Sequence, residues 1–184
     1  MSAIDRLVAT ASQTVGPFFQ LGLTHDATSP MKGPLADRDR IRLRVLVTDG
    51  DGAPVPDALV EIWQTGCEPP RSGAEHPVCA FGRMGTDANG ACELETIRPE
   101  PEAPSHGAVR AGHVNVCLFA RGLLRQLHTR IYFPDDPAIA GDPVLALVPE
   151  RRHQTLFASR TSEPDRWTFH IRLQGDDETV FFSE

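Results

Sequence analysis

Two stretches of the sequence decide the fold: GHVNVCLF at residues 112–119 and LHTRIYF at residues 127–133. We interpret both as β-strands. Successive side chains of a strand point to opposite faces, so every second residue shares a face. One face is apolar and carries Val114, Val116, Ile131 and Phe133. The other face carries five polar or ionisable side chains, which we call the polar row: His113, Asn115, His128, Arg130 and Tyr132. Polar side chains in these positions predict a functional site, or the remains of one.

Further strand patterns follow at regular spacing, separated by loops rich in Gly and Pro. They predict strands at residues 41–47, 58–64, 93–97, 167–173 and 179–182, a hairpin turn at 86–91 and one short helix within 142–148. Seven or so short strands imply two packed sheets, because a single sheet would leave one apolar face in water. We therefore predict an all-β chain folded as a β-sandwich. It forms one domain over residues 1–184, in which a long irregular N-terminal arm (residues 1–40) precedes the sandwich (residues 41–184).

Composition excludes several classes of function. The net charge of −7 and the absence of a Lys/Arg run argue against binding to nucleic acid or to an anionic membrane. No apolar stretch approaches the roughly 20 residues that span a bilayer, and the first residues lack the apolar core of a secretion signal. The four cysteines form no Cys-x-x-Cys pair, so buried free thiols are expected. The sequence predicts a cytoplasmic protein.

Other site chemistries find little support in the sequence. A zinc site would draw on Cys67, His76, Cys79 and Cys92, but the paired-cysteine knuckle of structural zinc sites is absent. No Gly-x-Ser-x-Gly elbow or nucleotide-binding glycine pattern occurs. Within the polar row, His113 and Asn115 could both be core residues that hydrogen-bond locally. Arg130 is harder to explain: a guanidinium on an inward strand face needs an anion, supplied either by a protein carboxylate or by a ligand.

Five motifs in order along the chain resemble those of the intradiol ring-cleavage dioxygenases. They are TASQTVGPFF at 10–19, DALVEIWQ at 57–64, FGRMGTDANG at 81–90, TIRP at 96–99 and LHTRIYFP at 127–134. The resemblance implies a β-sandwich of the intradiol dioxygenase type. It also implies a non-haem Fe(III) ion held by two tyrosinates and two histidines, the histidines forming a His-x-His pair. Anionic phenolate oxygens suit Fe(III), which is a hard cation.

This chain departs from that ligand set at each position that can be compared. The His-x-His position reads His113-Val114-Asn115, so the second imidazole is missing. Neither the loop after Gln64 nor the loop after Ile97 contains the expected tyrosine. The whole chain has one tyrosine, Tyr132, and two tyrosinates cannot be assembled from it. We therefore expect no catalytic residue and no metal ligand in this chain, with His113 and Asn115 as a vestige of the iron site.

The resemblance accounts for the missing ligands through members of the family that have two chains. In these enzymes alpha and beta chains share one fold and pair about a pseudo-twofold axis. The beta chain carries the iron, and the alpha chain keeps a degenerate copy of the site. The resemblance thus implies that this chain is an alpha subunit, partnered by a beta chain in a large hetero-oligomer that cleaves 3,4-dihydroxybenzoate with O2. It further implies that Arg130 and the arm residues Thr14, Gly16 and Pro17 help bind the substrate.

Two other interpretations remain open at the level of sequence. The stretch DGAPVPDALV at residues 51–60 also resembles the opening of transthyretin-like binding modules, which have no enzymatic role. Such modules are usually about half as long and would leave the Gly16-Pro17 segment and the polar row unexplained. A homomeric dioxygenase with an altered metal site would need His113, Asn115, Glu102 and Tyr132 to converge. Mixed oxygen and nitrogen ligands suit iron, but no loop tyrosine is available.

Overall fold

A computed structural model of the chain describes residues 11, 13, 14, 16, 18–24, 40–64, 81–102 and 108–183. Eight β-strands and one short α-helix occur in these ranges. They are α1 (Phe19–Leu23), β1 (Arg40–Thr48), β2 (Leu59–Trp63), β3 (Phe81–Gly85), β4 (Ala91–Ile97), β5 (His113–Phe119), β6 (Leu127–Tyr132), β7 (Ser159–Arg160) and β8 (Arg166–Arg172). Three 3₁₀-helices lie at Pro137–Gly141, Leu145–Leu147 and Glu150–Leu156. No helix in the described part of the chain is long and apolar enough to cross a membrane.

The strands form two four-stranded sheets, which confirms the predicted all-β sandwich. Sheet I has the order β4-β1-β8-β7 and sheet II the order β3-β2-β5-β6. The β1–β8 pairing is parallel, and the other pairings are antiparallel. Neighbours in sheet II need not be neighbours in sequence, because β2 pairs with β5 as well as with β3. This order puts the two opening stretches, β5 and β6, side by side at one end of sheet II.

The sandwich core lies between the sheets and is built from alternate residues of their strands. Leu43, Val45 and Val47 of β1 are fully buried, whereas Arg44 between the first two is exposed. Phe133 and Trp167 meet edge to face across the core, with ring centroids 5.0 Å apart. Each such aromatic side chain removes a large apolar area from water, and the ring geometry adds to that stabilisation. The strict alternation leaves the outer face of each sheet free for polar side chains.

The two outer faces differ in chemistry. The outer face of sheet I bears paired charges, because Arg42 contacts Glu163 and Asp165, and Arg166 contacts Glu93. Half-exposed ion pairs of this kind contribute little to stability and suit a surface in contact with water. The outer face of sheet II bears one such pair, Arg83 with Glu61, and in addition carries the polar row, part of it buried beneath the 3₁₀-helices. Sheet II is therefore the side of the sandwich on which a site can form.

Two elements differ from their sequence prediction. The turn at 86–91 exists, with Gly90 at a φ of +68° and its N–H 2.9 Å from the Asp87 carbonyl oxygen. It is not a hairpin, however, because it connects β3 of sheet II to β4 of sheet I. Residues 179–182 form no strand either. They lie along β6 through Thr129 Oγ1, which donates to the Val180 carbonyl, and through the Phe182 N–H, which donates to the His128 carbonyl.

Candidate functional site

The polar row lies on the outer face of sheet II, at the end where β5 begins and β6 ends. His113 is paired with Tyr132 in the β5–β6 register, and Asn115 with Arg130. Their neighbours Val114 and Ile131 are fully buried in the sandwich core, so the predicted division of the two faces is confirmed. The expectation that Arg130 faces inward is wrong. It is half-buried and points away from the core, because successive residues of a strand alternate between its faces and the next residue, Ile131, faces the core.

His113 is buried and held by a local hydrogen bond. Its side chain is 6% exposed, and Nδ1 lies 2.9 Å from the Ala111 carbonyl oxygen. Because that oxygen can only accept, Nδ1 carries the proton and Nε2 bears the lone pair of the neutral ring. Burial lowers the pKa of His113, opposed by the bond to Ala111 and reinforced by the positive charge of Arg130. The ring therefore stays neutral at physiological pH.

Tyr132 links the β6 strand to a buried carboxylate. Its ring is fully buried, and its centroid lies 5.5 Å from that of His113. The hydroxyl donates to Asp142 Oδ1 at 3.3 Å and accepts from Arg130 Nη1 at 3.4 Å. Burial raises the pKa of the phenol to about 12. Tyr132 is thus a protonated phenol that bridges the Asp142 carboxylate and the Arg130 guanidinium.

Two aspartates, which the sequence prediction missed, fix the start of β5. Asp142 Oδ2 accepts the Ala111 N–H at 2.9 Å, and Asp136 Oδ2 accepts the Gly112 N–H at 2.7 Å. Both carboxylates also cap the backbone that follows them, Asp136 at Ala138 and Asp142 at residues 144 and 145. The available signal was the Asp-Pro dipeptide at 136–137 and again at 142–143, a pattern that favours turns. Nothing in that signal indicates a bond to β5.

Gly112 allows the loop after β4 to approach β5 closely. A Cβ atom at this position would lie 2.3 Å from the Pro99 carbonyl oxygen, which is a prohibitive contact. The backbone of residues 99–100 therefore packs directly on the residue before His113. The resemblance implies a tyrosine in this loop of an iron-binding chain, whereas here the loop approaches the site and the sequence has no tyrosine in it.

Arg130 is the one cation of the polar row. Its guanidinium lies 5.9 Å from the centre of the Phe182 ring. Among the described residues it forms no ion pair with a carboxylate, in contrast to Arg42 or Arg166. Asn115, its cross-strand neighbour, directs its amide to the Trp63 carbonyl oxygen at 3.4 Å instead. The sequence left open whether a protein carboxylate or a ligand pairs with Arg130. The described part of the chain supplies no such carboxylate.

Thr14, one of the predicted arm residues, contacts the β5–β6 hairpin at its turn. Thr14 Oγ1 accepts the Gly122 N–H at 3.1 Å, which ties the arm to the turn between β5 and β6. Arg130 is three residues beyond the start of β6, so about 10 Å of strand separates it from that turn. Gly16 has a φ of +79° and is open on the side where a Cβ would be, and Pro17 lies outside the described residues. Within this chain, Thr14 and Arg130 therefore lie at different places along the hairpin.

The side chains present do not fit the Fe(III) site that the resemblance implies. The single tyrosine is buried, and its high pKa opposes formation of a phenolate. Asn115 stands where a second imidazole is required, and an amide is a weak ligand for a hard cation. Throughout the described ranges, no three His, Cys, Asp or Glu residues come together to hold a metal ion. Glu102, invoked for an altered site, does not complete one.

The zinc alternative also loses support. Cys67, His76 and Cys79 lie outside the described residues. Cys92 belongs to the sandwich core, and burial raises the pKa of its thiol to about 12. Metal binding requires a thiolate, which this environment disfavours. Cys92 and Cys117 are both buried and free, as predicted for these two positions.

Comparison with known proteins gives consistent matches over nearly the whole chain. The family described as Dioxygenase matches residues 16–175. The protocatechuate 3,4-dioxygenase alpha chain of Burkholderia cepacia is 40% identical over 196 residues, covering 96% of this chain and 98% of the relative. The beta chain from the same organism is 32% identical over 176 residues, covering 85% and 74%.

A solved structure agrees in fold. The dioxygenase domain of a dioxygenase carbohydrate-binding protein fusion from Streptomyces sp. SirexAA-E superposes with a TM-score of 0.58 at 25% identity, covering 89% of this chain and 97% of that one. These similarities confirm the resemblance drawn from the five motifs. They include both the Gly16 segment and the polar row, which the binding-module interpretation leaves unexplained.

Proposed function

Because the chain belongs to the intradiol dioxygenase family, we propose that it is the non-catalytic alpha subunit of a protocatechuate 3,4-dioxygenase. The complex cleaves protocatechuate (3,4-dihydroxybenzoate) with O2 to give 3-carboxy-cis,cis-muconate. Support comes from a relative of that name that matches this chain from end to end. The beta chain of the same complex is the partner, and the similarity of this chain to a beta chain is consistent with two related folds pairing.

The state of Tyr132 carries the assignment of a non-catalytic role. A chain with one tyrosine lacks the second tyrosinate, and this tyrosine is a buried phenol bonded to Asp142. We therefore place the Fe(III) of the complex on the beta chain. In that complex the ferric ion makes the bound catechol ring reactive towards oxygen. This chain supplies none of the ion's ligands.

We assign substrate binding in this chain to Arg130. Protocatechuate carries a carboxylate at neutral pH, and a guanidinium is the side chain best suited to pair with it, through two parallel hydrogen bonds. Arg130 is half-buried and has no carboxylate partner in the described part of the chain, so its charge is available to a ligand. We also assign substrate contacts to the arm residues Thr14, Gly16 and Pro17, as the resemblance implies; Thr14 is bonded to the turn at Gly122 rather than to Arg130.

The N-terminal arm also serves assembly. Phe18 and Leu21, in and beside α1, are 74% and 68% exposed in the isolated chain. Large apolar side chains exposed together on one segment are typical of a surface that another chain covers. We assign this surface to the beta chain, and repeated alpha–beta pairs to a larger hetero-oligomer. Interfaces of obligate complexes are large and apolar, which suits an arm that wraps its partner.

Reconstitution tests this function. The chain, the beta chain and the co-expressed pair are each purified, and O2 consumption is measured with 3,4-dihydroxybenzoate. We expect the isolated chain to be inactive and the pair to be active. Oxygen consumption by the isolated chain at a rate comparable to that of the pair would overturn the proposal. Failure of the two chains to co-purify would remove the alpha-subunit assignment while leaving the family intact.

A further inference from the structure

We infer that Tyr132 and Asp142 are positioning residues, which fix the direction in which Arg130 presents its guanidinium to the substrate carboxylate. This inference rests on the proposed role of Arg130 in substrate binding. It gives a function to the one tyrosine of the chain, on strand β6, and to a carboxylate that the sequence pattern did not indicate.

Asp142 is the fixed end of the arrangement. It is 1% exposed, and its two oxygens accept three backbone N–H groups at 2.9 Å, from Ala111, Val144 and Leu145. A carboxylate held by three backbone donors cannot rotate without breaking at least one of these bonds, of which those from Ala111 and Leu145 are buried and costly to leave unmade. Its Oδ1 atom therefore has a defined position relative to β5 and to the 3₁₀-helix at Leu145–Leu147.

Tyr132 carries that position to Arg130. Its ring is locked in a small apolar cluster with Ala111, Leu145, Val148 and Leu156. Its hydroxyl donates to Asp142 and accepts from Arg130. The two distances, 3.3 and 3.4 Å, exceed the usual range of about 2.7–3.2 Å, so each bond is weak by itself. The consequence is directional: a hydroxyl that donates to Asp142 turns its lone pairs towards Arg130, and such chains of bonds polarise one another.

The Tyr132 hydroxyl also lies between the Asp142 carboxylate and the Arg130 guanidinium and keeps them from pairing directly. A direct ion pair between Asp142 and Arg130 would occupy the guanidinium and leave less of it for a ligand. With Tyr132 between them, Arg130 is oriented by a neutral group on one side and lies beside the Phe182 ring on the other. His113, on the same face of the neighbouring strand, is neutral as well. The arrangement therefore directs Arg130 without neutralising it.

The test measures ligand binding to the intact alpha–beta complex under anaerobic conditions, in which no turnover occurs. Dissociation constants are determined for 3,4-dihydroxybenzoate and for catechol, which lacks the carboxylate. The variants in this chain are Arg130→Ala, Tyr132→Phe, Asp142→Asn and the double variant of residues 130 and 132. Thr129→Val is the matched control, since it removes a hydroxyl from the same strand on the opposite face.

We expect Tyr132→Phe to weaken binding of 3,4-dihydroxybenzoate about 3- to 10-fold, the effect of one lost hydrogen bond. Catechol binding should change by less than about twofold, because its contacts do not involve Arg130. Asp142→Asn should act in the same direction. Arg130→Ala should weaken binding of the acid about 10- to 100-fold, and adding Tyr132→Phe to it should have no further effect. Thr129→Val should leave both constants unchanged.

The outcomes separate the inference from the function on which it rests. If Arg130→Ala weakens binding of the acid but Tyr132→Phe and Asp142→Asn do not, the positioning inference is overturned and the proposed function stands. Equal weakening of acid and catechol by Tyr132→Phe, or a similar effect of Thr129→Val, overturns the inference as well. If Arg130→Ala has no effect, substrate binding by Arg130 and the inference fall together.

Discussion

Asn115 lies directly opposite Arg130 in the β5–β6 pairing, so the amide at the position where the resemblance implies a second imidazole adjoins the guanidinium on sheet II. An amide beside a guanidinium adds no second positive group, which a histidine could become. The substitution of the second imidazole is therefore compatible with an anion-binding arginine on the next strand.

Asn115→His in the isolated chain should not produce an iron protein. The variant regains the His-x-His pattern, but Tyr132 remains a buried phenol with a pKa of about 12 and no second tyrosine exists. Iron content after loading with Fe(III) and desalting should stay well below one equivalent. Visible absorption from tyrosinate-to-iron charge transfer should be absent. One tightly held equivalent of coloured iron would contradict this expectation.

Gly112→Ala should be strongly destabilising. Its Cβ would meet the Pro99 carbonyl oxygen at 2.3 Å, and the atoms it would meet belong to the backbone of residues 99 and 100, which cannot turn aside as a flexible side chain could. We expect the free energy of unfolding to fall by about 2 kcal/mol or more, measured by urea denaturation of the complex. Gly141→Ala is the control, because nothing lies within 4 Å of a Cβ there. Equal effects of the two substitutions would contradict the close approach at Gly112.

The pH dependence of stability should carry a contribution from His113. Burial lowers the pKa of its imidazole in the folded chain below the ordinary value of about 6.5. The unfolded chain therefore binds the proton more readily, and the folded state loses stability as the pH falls below that ordinary value. His113→Gln should flatten the dependence of the melting temperature on pH below about pH 6.5. Burial also lowers the pKa of His170, which contributes to the profiles of both the wild-type and the variant protein. Parallel profiles would contradict the assignment.

Deletion of residues 1–20 should affect assembly and substrate affinity together. The deletion removes Phe18, which is 74% exposed, and Thr14, which is bonded to the turn at Gly122. We expect the alpha–beta dissociation constant and the KM for 3,4-dihydroxybenzoate each to rise by about tenfold or more. Leu147→Ala, at a residue that is 83% exposed on a 3₁₀-helix, is a control for loss of an apolar surface residue. Unchanged assembly and unchanged KM would remove the arm from the site.

The parts of the fold that follow from local alternation were predictable. Val114 and Ile131 mark one face of their strands and thereby assign His113 and Arg130 to the other, whatever the rest of the chain does. The count of tyrosines is likewise a property of the sequence alone. These two facts carry most of the functional conclusion.

The parts that depend on distant contacts were not predictable. The turn at Gly90 shows where the chain reverses, but not that β3 and β4 join different sheets. In the sequence, Asp142 before Pro143 indicates only a turn. Its hydrogen bond to the Ala111 N–H joins residues 31 positions apart, which no local pattern predicts. Thr179 is buried and bonded to Arg172 through its own N–H and its side-chain oxygen, without a strand ladder, so its apolar neighbours predicted a strand that is absent.

The iron content of the purified alpha–beta complex tests the central claim most directly. If Fe(III) is bound only by the beta chain, quantitative metal analysis against protein concentration gives one iron per alpha–beta pair. Arg130→Ala in this chain should leave that ratio unchanged, because the proposed function assigns no iron ligand to this chain. Two irons per pair, or an equivalent of iron that remains with this chain after the subunits are separated, would contradict the account.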